Sequence, residues 1–302
     1  MRIRATVAAV SGALALSAFA VPAAQADGSA VPDWQAVSAG AGQSAFGAAT
    51  AADADVATLD VSFSGMKVNN GKAIVVGTKK VSVPVTYTLK HAAGVDVTSE
   101  NFLNGPFLYL KSLPTSVGQA FTDPVLFGDE PATCKATSAT TASCKALIDI
   151  RPAAGDLLNS GAATWKAGAL AIQADDSSGE LTGEKWQGKL GTSKLQRHSK
   201  LTGTNASPEP VKKGKTLTVT SKLTRVNWET EKYAGYGGQS VKLQFKKKGT
   251  SVYKDVKTVK TSSTGVLKTT VKATVDGTYR YVFSGSASTA AVTAAADAVD
   301  VK

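Results

Sequence analysis

The chain has 302 residues, of which 43% are apolar and 19% charged, and it contains 28 Gly and 10 Pro. This composition excludes an intrinsically disordered or collagen-like protein. The length suits two domains rather than one core. With only two His and two Cys, the chain has little material for metal binding or for acid–base catalysis near neutral pH.

The N-terminus has the three parts of a secretory signal. Arg2 and Arg4 precede an uncharged apolar stretch at residues 5–22, and residues 24–26 (Ala-Gln-Ala) supply the small side chains that signal peptidase accepts. We therefore predict a signal peptide at residues 1–26 and a secreted, extracellular protein. A membrane span is not expected, because no other stretch approaches the roughly 20 apolar residues that a spanning helix requires.

Residues 27–55 are rich in Ala, Gly and Ser, and we predict a flexible leader there. From residue 56 the apolar pattern changes to a period of two, which is typical of strands with one buried face. The stretch 81–89 shows it best, although Pro84 favours a sheet edge or a bulge for this strand. We predict a first β-sandwich domain over residues 56–191.

Residues 192–302 repeat this alternation in short stretches, which polar and Gly-containing turns separate. Several short strands with one apolar face each favour two sheets packed face to face. The predicted fold class is therefore all-β, with two tandem antiparallel β-sandwich domains after the signal peptide and the flexible leader. The second domain is predicted to span residues 192–302.

Two phrases in this second domain, residues 206–214 (ASPEPVKKG) and 238–245 (GQSVKLQF), carry a resemblance. They resemble an Ig-like β-sandwich module of secreted actinobacterial proteins of undefined function. The resemblance covers the C-terminal third of the chain and implies an extracellular Ig-like module without catalytic residues. Some members of that family are described as calcium-binding, but no acidic motif in this module supports that property. Residues 56–190 resemble another secreted domain of undefined function.

The two cysteines are predicted to form a disulfide. Cys134 and Cys144 flank a polar run that can turn back on itself, which places them opposite each other in a hairpin. In an exported protein we favour a structural disulfide over a redox pair or two metal ligands. Neither His lies near enough in sequence to suggest a metal cluster with these cysteines.

Catalytic motifs are missing from the sequence. His91 and His198 are the only histidines, and we predict that both are solvated surface residues. No Gly-rich phosphate loop precedes a helix. We therefore predict a non-catalytic protein that needs no cofactor. A secreted hydrolase with a pair of carboxylates on the first domain is the alternative, because acids that meet in space leave no spacing in the sequence.

The densest acidic cluster is Asp175, Asp176 and Glu180. An oxygen-rich loop of this kind can bind Ca²⁺, so a calcium-binding extracellular module is a second alternative. The cluster lacks the alternating acids and the closing Glu of an EF-hand, and Asp and Ser also favour ordinary turns. We favour a plain turn.

Charge is unevenly distributed along the chain. Residues 192–302 hold 20 Lys and Arg against 7 Asp and Glu, whereas residues 27–191 hold 12 against 16. Period-two spacing predicts that the four lysines Lys242, Lys246, Lys268 and Lys272 point outward from their sheets. Solubility and protection of sheet edges are the favoured explanation.

The functional alternative for these lysines is attraction to a polyanion such as an anionic cell-wall polymer. Nucleic acid is a poorer candidate, because Lys far outnumbers Arg and the sequence shows no stacking platform of interleaved aromatic residues. We predict a secreted, non-catalytic binding or surface-interaction protein, with association with the anionic cell envelope through the basic C-terminal domain as the functional alternative to solubility. The sequence does not indicate an oligomeric state.

Overall fold

The computed structural model describes residues 56–116, 120, 124–152, 157–175, 177, 178 and 180–302. The predicted signal peptide and flexible leader lie outside these residues. Regular structure in the described residues is almost entirely β, and the strands form two successive sandwiches. The predicted fold class is confirmed.

The first sandwich contains eleven strands in two sheets. Strands β1 to β11 are Ala57–Thr58, Val61–Val68, Ile74–Val76, Val81–His91, Phe102–Tyr109, Val125–Leu126, Thr133–Ser138, Thr141–Ile150, Thr164–Ala174, Leu181–Gln187 and Thr192–Arg197. One sheet has the order β2-β4-β8-β7 and is antiparallel. In the other sheet β9 pairs with β5 on one side and with β10 and β11 on the other. Its remaining strands are β6 beside β5, and β1 and β3, which run parallel to β10 and β11.

Strand β4 shows why this sequence folds as a sandwich. Val83, Val85 and Tyr87 are buried, whereas the residues between them are exposed. Of the edge position and the bulge that Pro84 favours, the edge is wrong, because β4 is an inner strand, and the β2–β4 ladder has a register shift between Ser64 and Lys67. Pro84 is tolerated because pairing with β2 ends at Val85, so the missing N–H faces no ladder partner on that side.

Strand β5 is buried along its whole length, because both faces of its sheet are covered. Its inner face joins the main core, and its outer face joins a second apolar cluster. Phe107 lies at the centre of that cluster, with its ring centroid 5.5 Å from that of Phe127 and 5.4 Å from that of Trp186. This burial explains why residues 102–109 are a near-continuous apolar run rather than an alternating one.

The predicted disulfide is confirmed. Cys134 of β7 lies directly opposite Cys144 of β8, with a Cα–Cα distance of 4.1 Å, and the two sulfurs are bonded. The bridge ties the edge strand β7, whose side chains are mostly exposed, to the buried strand β8.

Reduction of this disulfide is expected to lower the free energy of unfolding by about 2–3 kcal/mol, because it frees a ten-residue loop in the unfolded chain. Urea unfolding of the oxidised and reduced protein measures the difference. A Cys134→Ser plus Cys144→Ser variant should unfold like the reduced protein and should not respond to reductant. Equal urea midpoints for oxidised and reduced protein would contradict this expectation.

The second sandwich contains strands β12 to β21. They are Ser199–Leu201, Asn205–Ser207, Thr216–Asn227, Lys232–Gly235, Ser240–Lys247, Lys254–Lys260, Val266–Lys272, Gly277–Phe283, Val292–Thr293 and Asp297–Val299. In one sheet β14 pairs with β12 and β13 on one side and with β15 and β18 on the other. The other sheet has the order β17-β16-β19, with β20 and β21 beside β19.

This pairing is that of an Ig-like sandwich. Strands β13, β14 and β18 occupy the places of A, B and E, and β17, β16, β19 and β20 those of C′, C, F and G. The sheets share one core, and the Tyr281 hydroxyl donates a hydrogen bond across it to the Val219 carbonyl at 2.9 Å. The Ig-like architecture that the resemblance implies is therefore present.

The two sandwiches are joined without a linker, since His198 alone separates β11 from β12. β11 pairs with β9 and β3, and Leu195 is buried in the first core. Residues 192–197 therefore belong to the first sandwich by hydrogen bonding, although the predicted boundary assigns them to the second. These residues (TSKLQR) contain one apolar side chain, Leu195, so the sequence pattern does not reveal which sheet they join.

Candidate functional site

The four predicted polyanion-binding lysines do not form one patch. Lys242 and Lys246 lie on β16, whereas Lys268 and Lys272 lie on β18, in the opposite sheet of the second sandwich. Apolar residues between them point into the shared core, so the two pairs face opposite directions. Packed sheets are about 10 Å apart before their side chains are added. The predicted site is therefore divided between two surfaces.

We call the outer surface of the sheet that contains β16 the β16 surface. On this surface, the charge of Lys242 is already paired within the chain. The Lys242 ammonium forms an ion pair with Asp255, with Nζ 2.7 Å from Oδ2, and Gln244 Nε2 donates to the other carboxylate oxygen at 2.8 Å. These hydrogen bonds, with that from Lys242 the largest contribution, lower the pKa of Asp255 below its usual value. An incoming anion would have to compete with this carboxylate.

Two further cations of the β16 surface, Arg280 and Lys246, lie against Tyr253, and Lys260 is exposed at the edge of this surface. The guanidinium carbon of Arg280 is 3.7 Å from the Tyr253 ring centroid, and Lys246 Nζ is 5.2 Å from it. Arg280 Nε also donates to Gln244 Oε1 at 2.9 Å. Such cation–π contacts stabilise exposed sites by about 0.5–1 kcal/mol each. They hold both cations against the protein.

The outer surface of the opposite sheet is formed by the neighbouring strands β13, β14 and β18. Polar side chains form rows across these three strands. The register places Thr216 opposite Lys272, Thr218 opposite Thr270, and Thr220 opposite Lys268, and it places Ser207 and Asn205 of β13 beside Thr218 and Thr220. Lys222 continues the outward row of β14. We call this surface the threonine–lysine face; it comprises Asn205, Ser207, Thr216, Thr218, Thr220, Lys222, Lys268, Thr270 and Lys272.

The threonine–lysine face contains no negative charge. Strands β13, β14 and β18 have no Asp or Glu. Lys222, Lys268 and Lys272 are exposed, and none of them forms an ion pair with another described residue. Lys257 of β17 adds a further cation at the edge, where its Nζ donates to the Thr270 carbonyl at 2.8 Å. Lys222 and the threonine rows are not among the predicted ligands, although the alternation Thr216-x-Thr218-x-Thr220-x-Lys222 is visible in the sequence.

The joint between the sandwiches is apolar and hydrogen-bonded. Trp228, on the turn between β14 and β15, is 1% exposed and packs with Val226 into the first core. Its indole Nε1–H donates to the Val76 carbonyl of β3 at 3.2 Å. Asn159 of the first sandwich donates to Asn227 at 2.8 Å and accepts from the Trp228 N–H at 3.1 Å.

His198 lies in this joint, half-buried rather than solvated as the sequence predicts. Its Nδ1 is 2.8 Å from the Tyr233 hydroxyl, and its backbone N–H donates to the Val76 carbonyl at 2.9 Å. Burial lowers the pKa of His198, and the nearby Lys200 ammonium lowers it further. His91 is also half-buried, with Nδ1 3.1 Å from the Ala92 carbonyl.

The protein is expected to lose stability as the pH falls below about 6.5, the ordinary pKa of His. Because the pKa of His198 is lowered by folding, the folded state favours the neutral ring, and this contribution is present above pH 6.5 and lost on acidification. Urea unfolding between pH 7.5 and 5.5 measures it. His198→Asn should flatten the profile in this window, and an unchanged profile would contradict the assignment.

The predicted metal ligands do not form a cation site among the described residues. Asp175 Oδ1 accepts hydrogen bonds from Ser177 Oγ at 2.6 Å and from the backbone N–H groups of Ser177 and Ser178 at 2.9 Å. These bonds, the Ser177 hydroxyl first, lower the pKa of Asp175. Glu180 is exposed, and Asp176 lies outside the described residues. In the described part of the chain no three His, Cys, Asp or Glu side chains are placed to hold a metal ion.

Calcium is expected to leave the melting temperature unchanged. A site held at a hundred times its dissociation constant would add about 2.7 kcal/mol, which a thermal melt detects. The matched control is Asp175→Ala plus Asp176→Ala, measured with calcium and with EDTA. A calcium-dependent rise of several degrees that this double variant abolishes would establish the site.

Two carboxylates of the first sandwich lie close together, but both form ion pairs with basic side chains. Lys80 Nζ is 2.7 Å from Asp129 Oδ2 and 3.0 Å from Asp149 Oδ1, and Arg151 forms an ion pair with Asp129. Burial alone would raise the pKa of Asp149, but hydrogen bonds from Ser82, from the Asp129 N–H and from Lys80 outweigh it and lower the pKa. A general acid needs a raised pKa, so this pair does not match the hydrolase alternative.

Comparison with known proteins yields distant structural likenesses only. No protein-family model and no curated protein sequence matches the chain. A marsupial T cell receptor is 11% identical, with a TM-score of 0.25, over 81% of this chain and 73% of the receptor chain. The D00–D0 domain of intimin is 15% identical, with a TM-score of 0.24, over 79% of this chain and 99% of that one. The major pilin subunit BcpA of Bacillus cereus is 9% identical, with a TM-score of 0.21, over 75% and 60%.

TM-scores this low carry no functional argument, and the fold class rests on the strand pairing described above. In the described residues, no helix is long and apolar enough to cross a membrane.

Proposed function

We propose that this is a secreted, non-catalytic binding protein that associates with an anionic polymer of the cell envelope through its basic C-terminal sandwich. The observation that carries the proposal is the distribution of charge. Residues 192–302 have 20 basic and 7 acidic residues, and the strands β13, β14 and β18 of one sheet together carry lysines and no Asp or Glu. A field of one sign concentrates ligands of the opposite sign.

Two other observations support this function. The Cys134–Cys144 disulfide suits an oxidising, extracytoplasmic compartment. Three titratable groups of the described residues are engaged in structural contacts, since His198 lies in the joint and Asp129 and Asp149 are bound to Lys80. A role in binding therefore accounts for the chain better than a role in hydrolysis.

The test is retention of the full chain on isolated cell envelopes at two salt concentrations. The Debye length falls from about 10 Å at 0.1 M salt to about 3 Å at 1 M, so attraction between exposed charges largely disappears. We expect strong retention at low salt and release at 1 M, and no retention on neutral dextran beads at either concentration. Retention that persists at 1 M salt, or none at low salt, would contradict the proposal.

The full chain is the appropriate sample for this experiment. Val226 and Trp228 of the second sandwich are part of the first core, so separating the domains would expose them. Charge variants of the intact protein avoid this problem.

A further inference from the structure

We infer that the threonine–lysine face is the docking surface of this protein, and that its occupant is a linear phosphate-bearing polymer that lies along the strands. This inference rests on the proposed function and deepens it, since it names the surface and the chemistry of the partner. It also reassigns two of the four lysines that the sequence predicts as ligands.

The β16 surface and the threonine–lysine face differ in how much of their positive charge is free to bind an anion. On the β16 surface Lys242 is paired with Asp255, Lys246 and Arg280 lie against Tyr253, and Lys260 is exposed. On the threonine–lysine face the lysines are exposed and their strands have no acidic residue. An anion can therefore bind there without displacing a carboxylate, and its full Coulomb attraction contributes to binding.

The lysines of the threonine–lysine face are spaced along the strand direction. Outward residues follow each other about every 6.7 Å along a strand, so Lys268 and Lys272 are about 13 Å apart. Lys222 is a diagonal neighbour of Lys268, about 7–8 Å away. A linear polyanion that lies along the strand direction can therefore contact Lys268 and Lys272 at once, which a single phosphate group cannot do.

Threonine hydroxyl groups lie between the lysines of this face. The hydroxyls of Thr218, Thr220 and Thr270 lie in the same rows and can donate hydrogen bonds to phosphate oxygens. The face has no aromatic side chain on which a nucleic-acid base or a sugar ring could stack. Charge and hydroxyl donors without a stacking platform fit a flexible phosphate polymer better than they fit single-stranded nucleic acid.

The joint limits the face at one end. Val226, which continues the outward row of β14, is buried against the first sandwich. Lys200, which lies opposite Thr224 in the same row, has its Nζ 3.8 Å from the Tyr233 ring centroid. The opposite end, at Thr216 and Lys272, is exposed. The polymer thus has an open surface from the tip of the second sandwich up to the joint.

The experiment compares two triple variants of the full chain that remove the same charge. One is Lys222→Gln, Lys268→Gln and Lys272→Gln on the threonine–lysine face. The matched control is Lys242→Gln, Lys246→Gln and Lys260→Gln on the β16 surface, where Lys260 is exposed opposite Ser240. Thermal melts first establish that both variants are folded, since all six side chains point away from the core.

Binding to fluorescently labelled long-chain inorganic polyphosphate is measured at several salt concentrations. We expect the face variant to bind at least about tenfold more weakly, with a salt-dependence slope reduced by about 2–3, and the control variant to bind like the wild type. Equal weakening of both variants, or weakening of the control alone, would overturn the assignment of the face while leaving polyanion binding intact. If wild-type protein binds neither polyphosphate nor envelopes, the proposed function itself is overturned.

Two further polymers test the partner class on the wild-type protein. Polygalacturonate supplies carboxylates in place of phosphates, and a single-stranded DNA oligomer supplies phosphates with bases. We expect polyphosphate to bind more tightly than either. Tighter binding of polygalacturonate or of DNA would overturn the choice of a phosphate polymer without stacking groups.

Discussion

Replacing Trp228 with Ala is expected to lower the free energy of unfolding by about 3–5 kcal/mol, the cost of removing a buried aromatic side chain. Although Trp228 belongs to the second sandwich by sequence, it is 1% exposed and lies in the core of the first. The substitution leaves a cavity there and also leaves the Val76 carbonyl without its indole donor. The loss should therefore be felt in both sandwiches.

Urea unfolding measures the total effect, and amide hydrogen exchange locates it. We expect faster exchange in β3 and β11 of the first sandwich as well as at the joint end of β14. The control is Trp228→Phe, which keeps most of the ring but loses the hydrogen bond to Val76, at a cost of about 0.5–1.5 kcal/mol, because the His198 N–H still donates to that carbonyl. An alanine variant as stable as wild type would mean that the joint does not contribute to either core.

Gly265→Ala is expected to cost about 3–5 kcal/mol, because both strain and overpacking oppose it. Gly265 has φ +82°, a conformation that L residues rarely adopt. A Cβ at this position would lie 2.1 Å from the Leu223 carbonyl oxygen and 2.8 Å from the Tyr236 nitrogen. Both neighbours are backbone atoms of the sheet that carries the threonine–lysine face, so they cannot turn aside as a side chain could.

Gly249→Ala is the matched control for this substitution. Gly249 has φ +79°, but a Cβ there meets nothing within 4 Å. Only the backbone strain remains, which costs about 1–2 kcal/mol. Thermal or urea unfolding of the two variants separates the cost of backbone strain from the cost of the steric clash. Equal losses at the two positions would show that the contact with Leu223 adds nothing.

The sequence predicts local structure well where one strand has one buried face. The alternation around Val83 and Tyr87, and that of Leu217 and Val219, predicts strands that the structure has. The disulfide also follows from local spacing, because Cys134 and Cys144 belong to one hairpin. In each of these cases the determining contacts are made within a strand or between neighbours in sequence.

Features that depend on distant pairing were not predictable. The alternation of apolar and polar residues predicts that Lys242 and Lys268 point outward, but it does not tell which sheet each strand joins. Their placement on opposite surfaces follows only from the strand pairing. Trp228 lies in the polar segment Asn227-Trp228-Glu229, which gives no sign that the indole reaches a carbonyl of residue 76. The assignment of residues 192–197 failed for the same reason, since either sheet could accept that strand.

The most direct test of the binding surface is lysine footprinting of the full chain. The protein is acetylated briefly, with and without saturating long-chain polyphosphate, and the modification of each lysine is quantified by mass spectrometry. The account predicts protection of Lys222, Lys268 and Lys272, and unchanged reactivity of Lys246 and Lys260 on the opposite surface. Protection confined to Lys246 and Lys260, or equal protection on both surfaces, would contradict it.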